Sequence, residues 1–276
     1  MPEPSHFRRI LILWIALSVI ATPLVVILAA PGLPPGDATS EAAGQVTDNT
    51  VLLGIATPIA ALLVVYFAYA LIVFRHRGPE PDEGVAIRGD NRVQLTWIVA
   101  TAAIVLFAAV YGTVRIFGDS GAGGGQGPNP IAKPSGDPLQ VQVIAQQWAF
   151  TYRFPSFGGV ETPHLELPVD QDVEFHVTSL DAIHSFWAHQ LGVKADANPG
   201  VDNVAYARPT ETGSFDIRCA ELCGLFHGHM FDTGQVVSDS SFQAWIRGQQ
   251  REFAPATRNL NPYNRGYLPH PERRAG

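Results

Sequence analysis

Two apolar runs decide most of what this chain can become. Val51 to Phe74 contains no charged side chain, and Leu95 to Phe117 is nearly as apolar. Each reaches the roughly 20 residues that a helix needs to cross a bilayer. In lipid every backbone polar group must be satisfied within the segment, so such a pair folds as a transmembrane helical hairpin over residues 51–117. Pro58 is tolerable there because neighbours in a membrane can satisfy the freed carbonyl. Trp97 and Tyr111, near the two ends of the second run, suit the aromatic belts at the membrane surfaces.

A third run, Ile10 to Ala30, has two readings. His6-Phe7-Arg8-Arg9 ahead of it and Leu28-Ala29-Ala30 at its end, with the small residues Ala29 and Ala30, have the form of a signal peptide. Its length exceeds the usual signal core of about 7 to 15 residues and suits a retained helix. Residues 1–30 are therefore a signal peptide or an extra transmembrane helix. Orientation follows from charge in either case. Arg75, Arg77, Arg88 and Arg92 lie between the hairpin runs, whereas Pro31 to Thr50 carries Asp37, Glu41 and Asp48 with no Lys or Arg. The positive-inside bias puts the arginine loop in the cytoplasm and everything after Phe117 outside.

Residues 118–136 form a linker rich in Gly, Pro and Ser. Beyond it Leu139 to Ala145, Val173 to Val177 and Ser214 to Arg218 alternate apolar and polar side chains as half-buried strands do. Helical periodicity is scarce until Ser241 to Arg251. Many short strands with Gly and Pro turns predict an all-β Greek-key sandwich or barrel over residues 137–250, the size of one domain. The polar, proline-punctuated tail, 251–276, has the composition of a disordered or draping segment. A net charge of -7 argues against nucleic acid as a partner.

Chemistry is concentrated in residues 219–230, Cys-Ala-Glu-Leu-Cys-Gly-Leu-Phe-His-Gly-His-Met. They hold both cysteines of the chain and one of its two methionines. Thiolate, imidazole and thioether are soft or borderline donors, the set that selects copper over magnesium, calcium or manganese. A loop this short rarely encloses a metal alone, and His184 in Asp181-Ala182-Ile183-His184-Ser185-Phe186-Trp187 is the best candidate for a further ligand. A structural disulfide is the default for two cysteines outside the cytosol. A blue-copper site also uses His, Cys and Met, but it needs one cysteine and leaves the second without a role. His229 fits no ligand position in this spacing, and the alternation around His176 puts that residue on a polar strand face.

The pattern C-x-E-x-C-x-x-x-H-x-x-M with an upstream D-x-x-H-S-F-W resembles subunit II of the haem-copper cytochrome c oxidases. The resemblance extends through Gln147-Trp148, Leu165-Glu166-Leu167-Pro168-Val169 and Lys194-Ala195-Asp196-Ala197-Asn198-Pro199-Gly200. It implies a cupredoxin-like fold behind the helical hairpin and a binuclear copper A centre (CuA). By that resemblance Cys219 and Cys223 bridge two coppers, and His184 and Met230 complete one of them. His227 and the backbone carbonyl of Glu221 complete the other, and the Glu221 side chain reaches a magnesium ion shared with the catalytic subunit. Trp148 takes the place of the family's electron inlet, while Phe150 stands where many relatives have a second tryptophan.

The partners so implied are oxidase subunit I and the other oxidase subunits, with cytochrome c or a fused cytochrome domain as donor. Electrons would pass to haem in subunit I for reduction of oxygen to water coupled to proton translocation. The setting is a bacterial-type plasma membrane, spanned more than once, with the copper domain on the outer side. Asp181 matches an acidic position suited to docking a basic cytochrome. Gln94 departs from the pattern, because relatives commonly have a proton-conducting glutamate there and glutamine does not titrate. A CuA subunit of a nitric oxide reductase-type enzyme would retain the same loop. A membrane-anchored copper carrier would bind a labile ion without a two-copper signal.

Overall fold

The computed structural model describes residues 5–36, 38–75, 78, 89–118, 125, 127 and 136–257. Arg77, Arg88, most of the 118–136 linker and the tail beyond residue 257 lie outside the described residues. Three long helices come first: α1, His6–Leu24; α2, Ser40–Val73; and α3, Asn91–Gly118. Each is long and apolar enough to cross a membrane. Their apolar side chains point outward, Leu71 being 72% and Val93 67% exposed. A water-soluble helix would bury such a face. Side-chain oxygens cap the starts: Ser5 accepts from the Arg8 N–H, Thr39 from Ala42 and Asp90 from Arg92.

The chain divides into two compact units, residues 1–31 with 48–115, and residues 32–47 with 116–276. Within the first unit polar bonds join the helices. Trp14 Nε1 of α1 donates to the Pro58 carbonyl of α2 at 2.8 Å, and His6 Nδ1 lies 2.8 Å from the Tyr69 hydroxyl. Asp48 of α2 accepts from Tyr111 and Arg115 of α3 at 2.7 and 2.8 Å. Such bonds are retained readily in lipid, where water offers no alternative partner.

Among the described residues the second unit is a sandwich of ten strands: β1, Leu139–Gln146; β2, Ala149–Phe154; β3, Val160–Thr162; β4, Glu166–Pro168; β5, Val173–Ser179; β6, His184–Ala188; β7, Val193–Ala197; β8, Asn203–Ala207; β9, Gly213–Cys219; and β10, Phe231–Val237. One sheet has the order β3-β2-β1-β5-β8 and the other β4-β10-β9-β6-β7. This is the cupredoxin-like β-sandwich that the resemblance implies. Alternation decides which side chains fill it. Val141, Val143, Phe175 and Val177 come from the first sheet, and Phe186, Phe215 and Ile217 from the second, all buried. The outer face of the second sheet carries Lys194, Trp187, Arg218 and Phe231 side by side in register. Lys194 Nζ lies 5.5 Å from the Trp187 ring centre and the Arg218 guanidinium 5.8 Å from that of Phe231, within cation–π range.

Two boundaries differ from those read off the sequence. α2 begins at Ser40, well before the apolar run, because its first turns are fastened to the β unit. Thr39 Oγ1 donates to the Leu191 carbonyl at 3.0 Å and Gln45 Nε2 to that of Gly192 at 2.7 Å. The last helix, α4, Asp239–Thr257, continues past residue 250, so the start of the polar tail is helical. Gln249, Gln250, Arg251 and Glu252 are good helix formers. Gln250 Nε2 also donates to the Phe157 carbonyl at 2.7 Å, while Phe242 and Ile246, four apart, are buried against the core.

His176 sits on the face its alternation predicts, between two carboxylates. Its Nδ1 is 2.9 Å from Asp202 and its Nε2 3.4 Å from Glu174. Burial works against the imidazolium, but the hydrogen bonds and charges of Asp202 and Glu174 outweigh it and push the pKa up to about 9. A folded-state pKa above the unfolded value of about 6.5 stabilises the fold fully below that value and loses the contribution as pH rises through the folded value. The unfolding temperature of the β unit is therefore expected to fall between pH 6.5 and 9. In His176→Gln that slope should flatten, as scanning calorimetry across the range would register.

Candidate metal centre

Strand register assembles the donors. In β9 the alternation that buries Phe215 and Ile217 puts Cys219 on the same face, at the strand's end. β6 pairs with it so that Phe186 faces Cys219, and His184, two residues from Phe186, shares that face. On the other flank β10 starts at Phe231 opposite Arg218, and the Cys219 N–H donates to the Met230 carbonyl at 3.0 Å. His184, Cys219 and Met230 thus meet at one end of one sheet. The intervening loop folds back over them through a short 3₁₀ turn, His227–His229, and brings Glu221, Cys223 and His227 with it.

The resulting spacings are those of a ligand shell. Cys219 Sγ and Cys223 Sγ are free thiols 3.7 Å apart. His184 Nδ1 is 3.8 Å from Cys219 Sγ, and His227 Nδ1 is 3.6 Å from Cys223 Sγ. Met230 Sδ lies 3.9 Å from Cys223 Sγ, and the Glu221 carbonyl 3.2 Å from Cys219 Sγ. Donors held about 2.0 to 2.3 Å from a tetrahedral ion stand roughly 3.3 to 3.8 Å from one another, so the set fits a bound metal. His184, Cys219 and Cys223 have ligand atoms all within 4.8 Å and are all buried, so this cluster can hold a metal ion. Met230 is buried, His227 half-buried, and the Glu221 side chain exposed. Burial and the neighbouring Cys219 push the Cys223 thiol up to about 11, so a metal must displace a tightly held proton. His229 is exposed, with its ring 6.2 Å from that of Phe226.

Three residues that are not among the candidate ligands support the site. Asp181 Oδ1 accepts from His184 Nε2 at 2.9 Å and from the Ala182 N–H at 2.7 Å, and Oδ2 accepts from the Gln147 N–H at 2.8 Å. Burial is the largest single influence on the Asp181 carboxyl and raises its pKa, but the bonds from Gln147, His184 and Ala182 together outweigh it and hold the pKa below its ordinary range. The acid that resembled a docking residue is committed to internal bonds. With Nε2 donating to Asp181, Nδ1 of His184 is left free to face the sulfur. Gln147 Nε2 donates to the Cys223 carbonyl at 2.8 Å. Gly224 has φ +123, a backbone conformation that favours glycine, and a Cβ there would also press tightly on Gln147 Nε2 at 3.0 Å and on the Trp148 ring at 3.3 Å. Trp148 is half-buried, edge-on to Phe226 with ring centres 4.8 Å apart.

Residues 160–237 match the family model for the periplasmic domain of cytochrome c oxidase subunit II. The similarity is not confined to that segment. Cytochrome c oxidase subunit 2 of Thermostichus vulcanus is 28% identical over 263 residues, covering 79% of this chain and 79% of that protein. Over most of its length the chain is similar to cytochrome c oxidase subunit II. Subunit 2 of Bacillus subtilis is 28% identical over 271 residues, 93% of this chain and 72% of the relative. Among solved structures, the periplasmic domain of subunit II from Bradyrhizobium japonicum is 30% identical, covers 44% of this chain and 98% of its own, and superposes with a TM-score of 0.42. The matched subunit II segment contains all the clustered donors, from His184 to Met230, whereas Trp148 precedes it.

Asp181 carried a detectable signal, an acid three residues before His184, but its hydrogen bonds depend on how the 179–182 turn folds. Gln147 carried none beyond standing next to Trp148. For Asp181→Ala the expected outcome is copper bound about 10- to 100-fold more weakly, the usual cost of removing a group that orients a ligand imidazole. Competition against a chelator of known affinity measures it.

Proposed function

We propose that this chain is the electron-accepting subunit of a haem-copper cytochrome c oxidase and that its β unit holds the binuclear CuA centre. The observation that carries the reading is the pair of thiols with one imidazole beside each, His184 at Cys219 and His227 at Cys223. A single tetrahedral ion would fill its shell from part of this set, whereas two ions sharing both sulfurs use all of it. Cys219 and Cys223 would bridge, His184 and Met230 would complete one ion, and His227 with the Glu221 carbonyl the other. A two-copper centre supplies a one-electron relay whose bond lengths change little on reduction. The exposed Glu221 carboxylate is free to reach a magnesium ion at the boundary with subunit I.

What the chain itself does is hold donors still, keep water out and offer a route inward. His184, Cys219, Cys223 and Met230 are buried among core side chains, so their positions are over-determined by packing. Trp148, half-buried against the loop, is the electron inlet from cytochrome c or a fused cytochrome domain. Electrons leave to haem in subunit I, where oxygen becomes water and protons are translocated. The β unit lies on the outer side of a bacterial-type plasma membrane, a placement supported by Arg75 and Arg92 flanking the link between α2 and α3. α1 is retained as a third span, a reading supported by its bonds from Trp14 and His6 to α2.

Purified full-length chain loaded with copper is expected to bind two ions and give a mixed-valence electron paramagnetic resonance spectrum. One copper per chain, or a spectrum unaltered in Cys219→Ser, would contradict the two-copper centre. In Trp148→Phe the spectrum should persist while reduction by cytochrome c slows; unchanged kinetics would remove Trp148 from the path. Mass spectrometry of the mature protein should find α1 still present.

A further inference from the structure

We propose that Gln147 is a positioning residue that locks the electron-inlet segment onto the metal loop, its side chain completing a hydrogen-bonded link from Trp148 to Cys223. The proposal rests on the reading of Trp148 as the inlet.

Gln147 is bonded in two directions. Its side-chain Nε2 donates to the Cys223 carbonyl at 2.8 Å. Only the amide nitrogen can fill that role, because a carbonyl accepts and never donates. Its backbone N–H donates to Asp181 Oδ2 at 2.8 Å, and the other oxygen of that carboxylate holds His184 Nε2 at 2.9 Å. One residue adjoining Trp148 is therefore tied to the loop cysteine directly and to the imidazole ligand through one intermediary. Gly224 supplies an independent sign of the same contact. It is the loop position where a Cβ would press on both Gln147 Nε2 and the Trp148 ring, at 3.0 and 3.3 Å. The loop is glycine where these two side chains bear on it.

The link matters for a one-electron step in which the reduced cytochrome donor loses an electron, the centre gains it, and no substrate bond forms or breaks. From the indole to Cys223 the Gln147 route runs through covalent bonds and one hydrogen bond. Without that bond the indole faces the loop across van der Waals gaps, through which electronic coupling decays faster. A mobile inlet would also sample poorly coupled geometries for part of the time.

The test compares Gln147→Ala, Gln147→Glu and Trp148→Phe in the full-length chain. Glutamate keeps the length and shape of glutamine but, ionised, offers no donor to the Cys223 carbonyl. In the metal-free chain, both Gln147 variants are expected to speed amide hydrogen exchange in segments 145–150 and 221–226 by about two- to tenfold, the loss of one hydrogen bond. Loaded with copper, they should keep the wild-type spectrum and copper count yet accept electrons from cytochrome c several-fold more slowly. Wild-type exchange and wild-type reduction in both variants, with Trp148→Phe slowed, would overturn the lock and leave the inlet standing. Wild-type reduction in Trp148→Phe would remove the inlet and the electronic link with it. The lock would then be judged by the exchange measurement alone, and unchanged protection would reject it.

Discussion

The register of β9 between β6 and β10 is the constraint on which the cluster of soft donors depends. β9 delivers Phe215, Ile217 and Cys219 to one face, β6 sets Phe186 opposite Cys219, and the Cys219 N–H closes onto the Met230 carbonyl. A slip of one residue in β9 would send Cys219 to the opposite face together with Ile217 and Phe215. The same hydrogen-bond ladder therefore secures the sandwich core and the donor set. Displacing the donors means exposing buried apolar side chains, so the packing of the core also fixes the positions of the soft donors.

The loop from Ala220 to His229 has little core of its own and is held from outside. The Ala220 N–H donates to the Ser185 carbonyl at 3.0 Å, Gln147 holds the Cys223 carbonyl, and Trp148 packs on Phe226. Asp181 joins these supports by bonding both to the Gln147 backbone and to the His184 ring. The His184 ring, the Cys223 carbonyl and the segment that carries Trp148 thus belong to one hydrogen-bonded system.

How far the sequence could be read depended on the range of the interaction concerned. The runs around Val51 to Phe74 and Leu95 to Phe117 announce helices because their composition leaves lipid as the only compatible surroundings. The strands around Val141, Phe175 and Ile217 announce themselves by alternation. The donor-rich loop stood out because soft donors at short spacing are rare, and His184 because an imidazole followed a strand-like run and completed the family pattern; the structure brings His184, Cys219 and Cys223 together. The roles of Asp181, Gln147 and Gly224 were not legible. Asp181 reads as an acid facing solution until the 179–182 turn points it at the His184 ring.

The boundaries misread from sequence have the same origin. α2 begins at Ser40 because Thr39 and Gln45 bond to carbonyls of Leu191 and Gly192, far along the chain. α4 persists to Thr257 with Gln250 bonded to Phe157 and Phe242 buried. By itself the sequence determined what depends on composition and near neighbours: apolar spans, alternating strands, and a cluster of soft donors. Only the tertiary structure decided which donors meet and what holds them. His184 and Cys219 are 35 positions apart, and strand pairing and turn geometry, which no local pattern encodes, bring them within 3.8 Å.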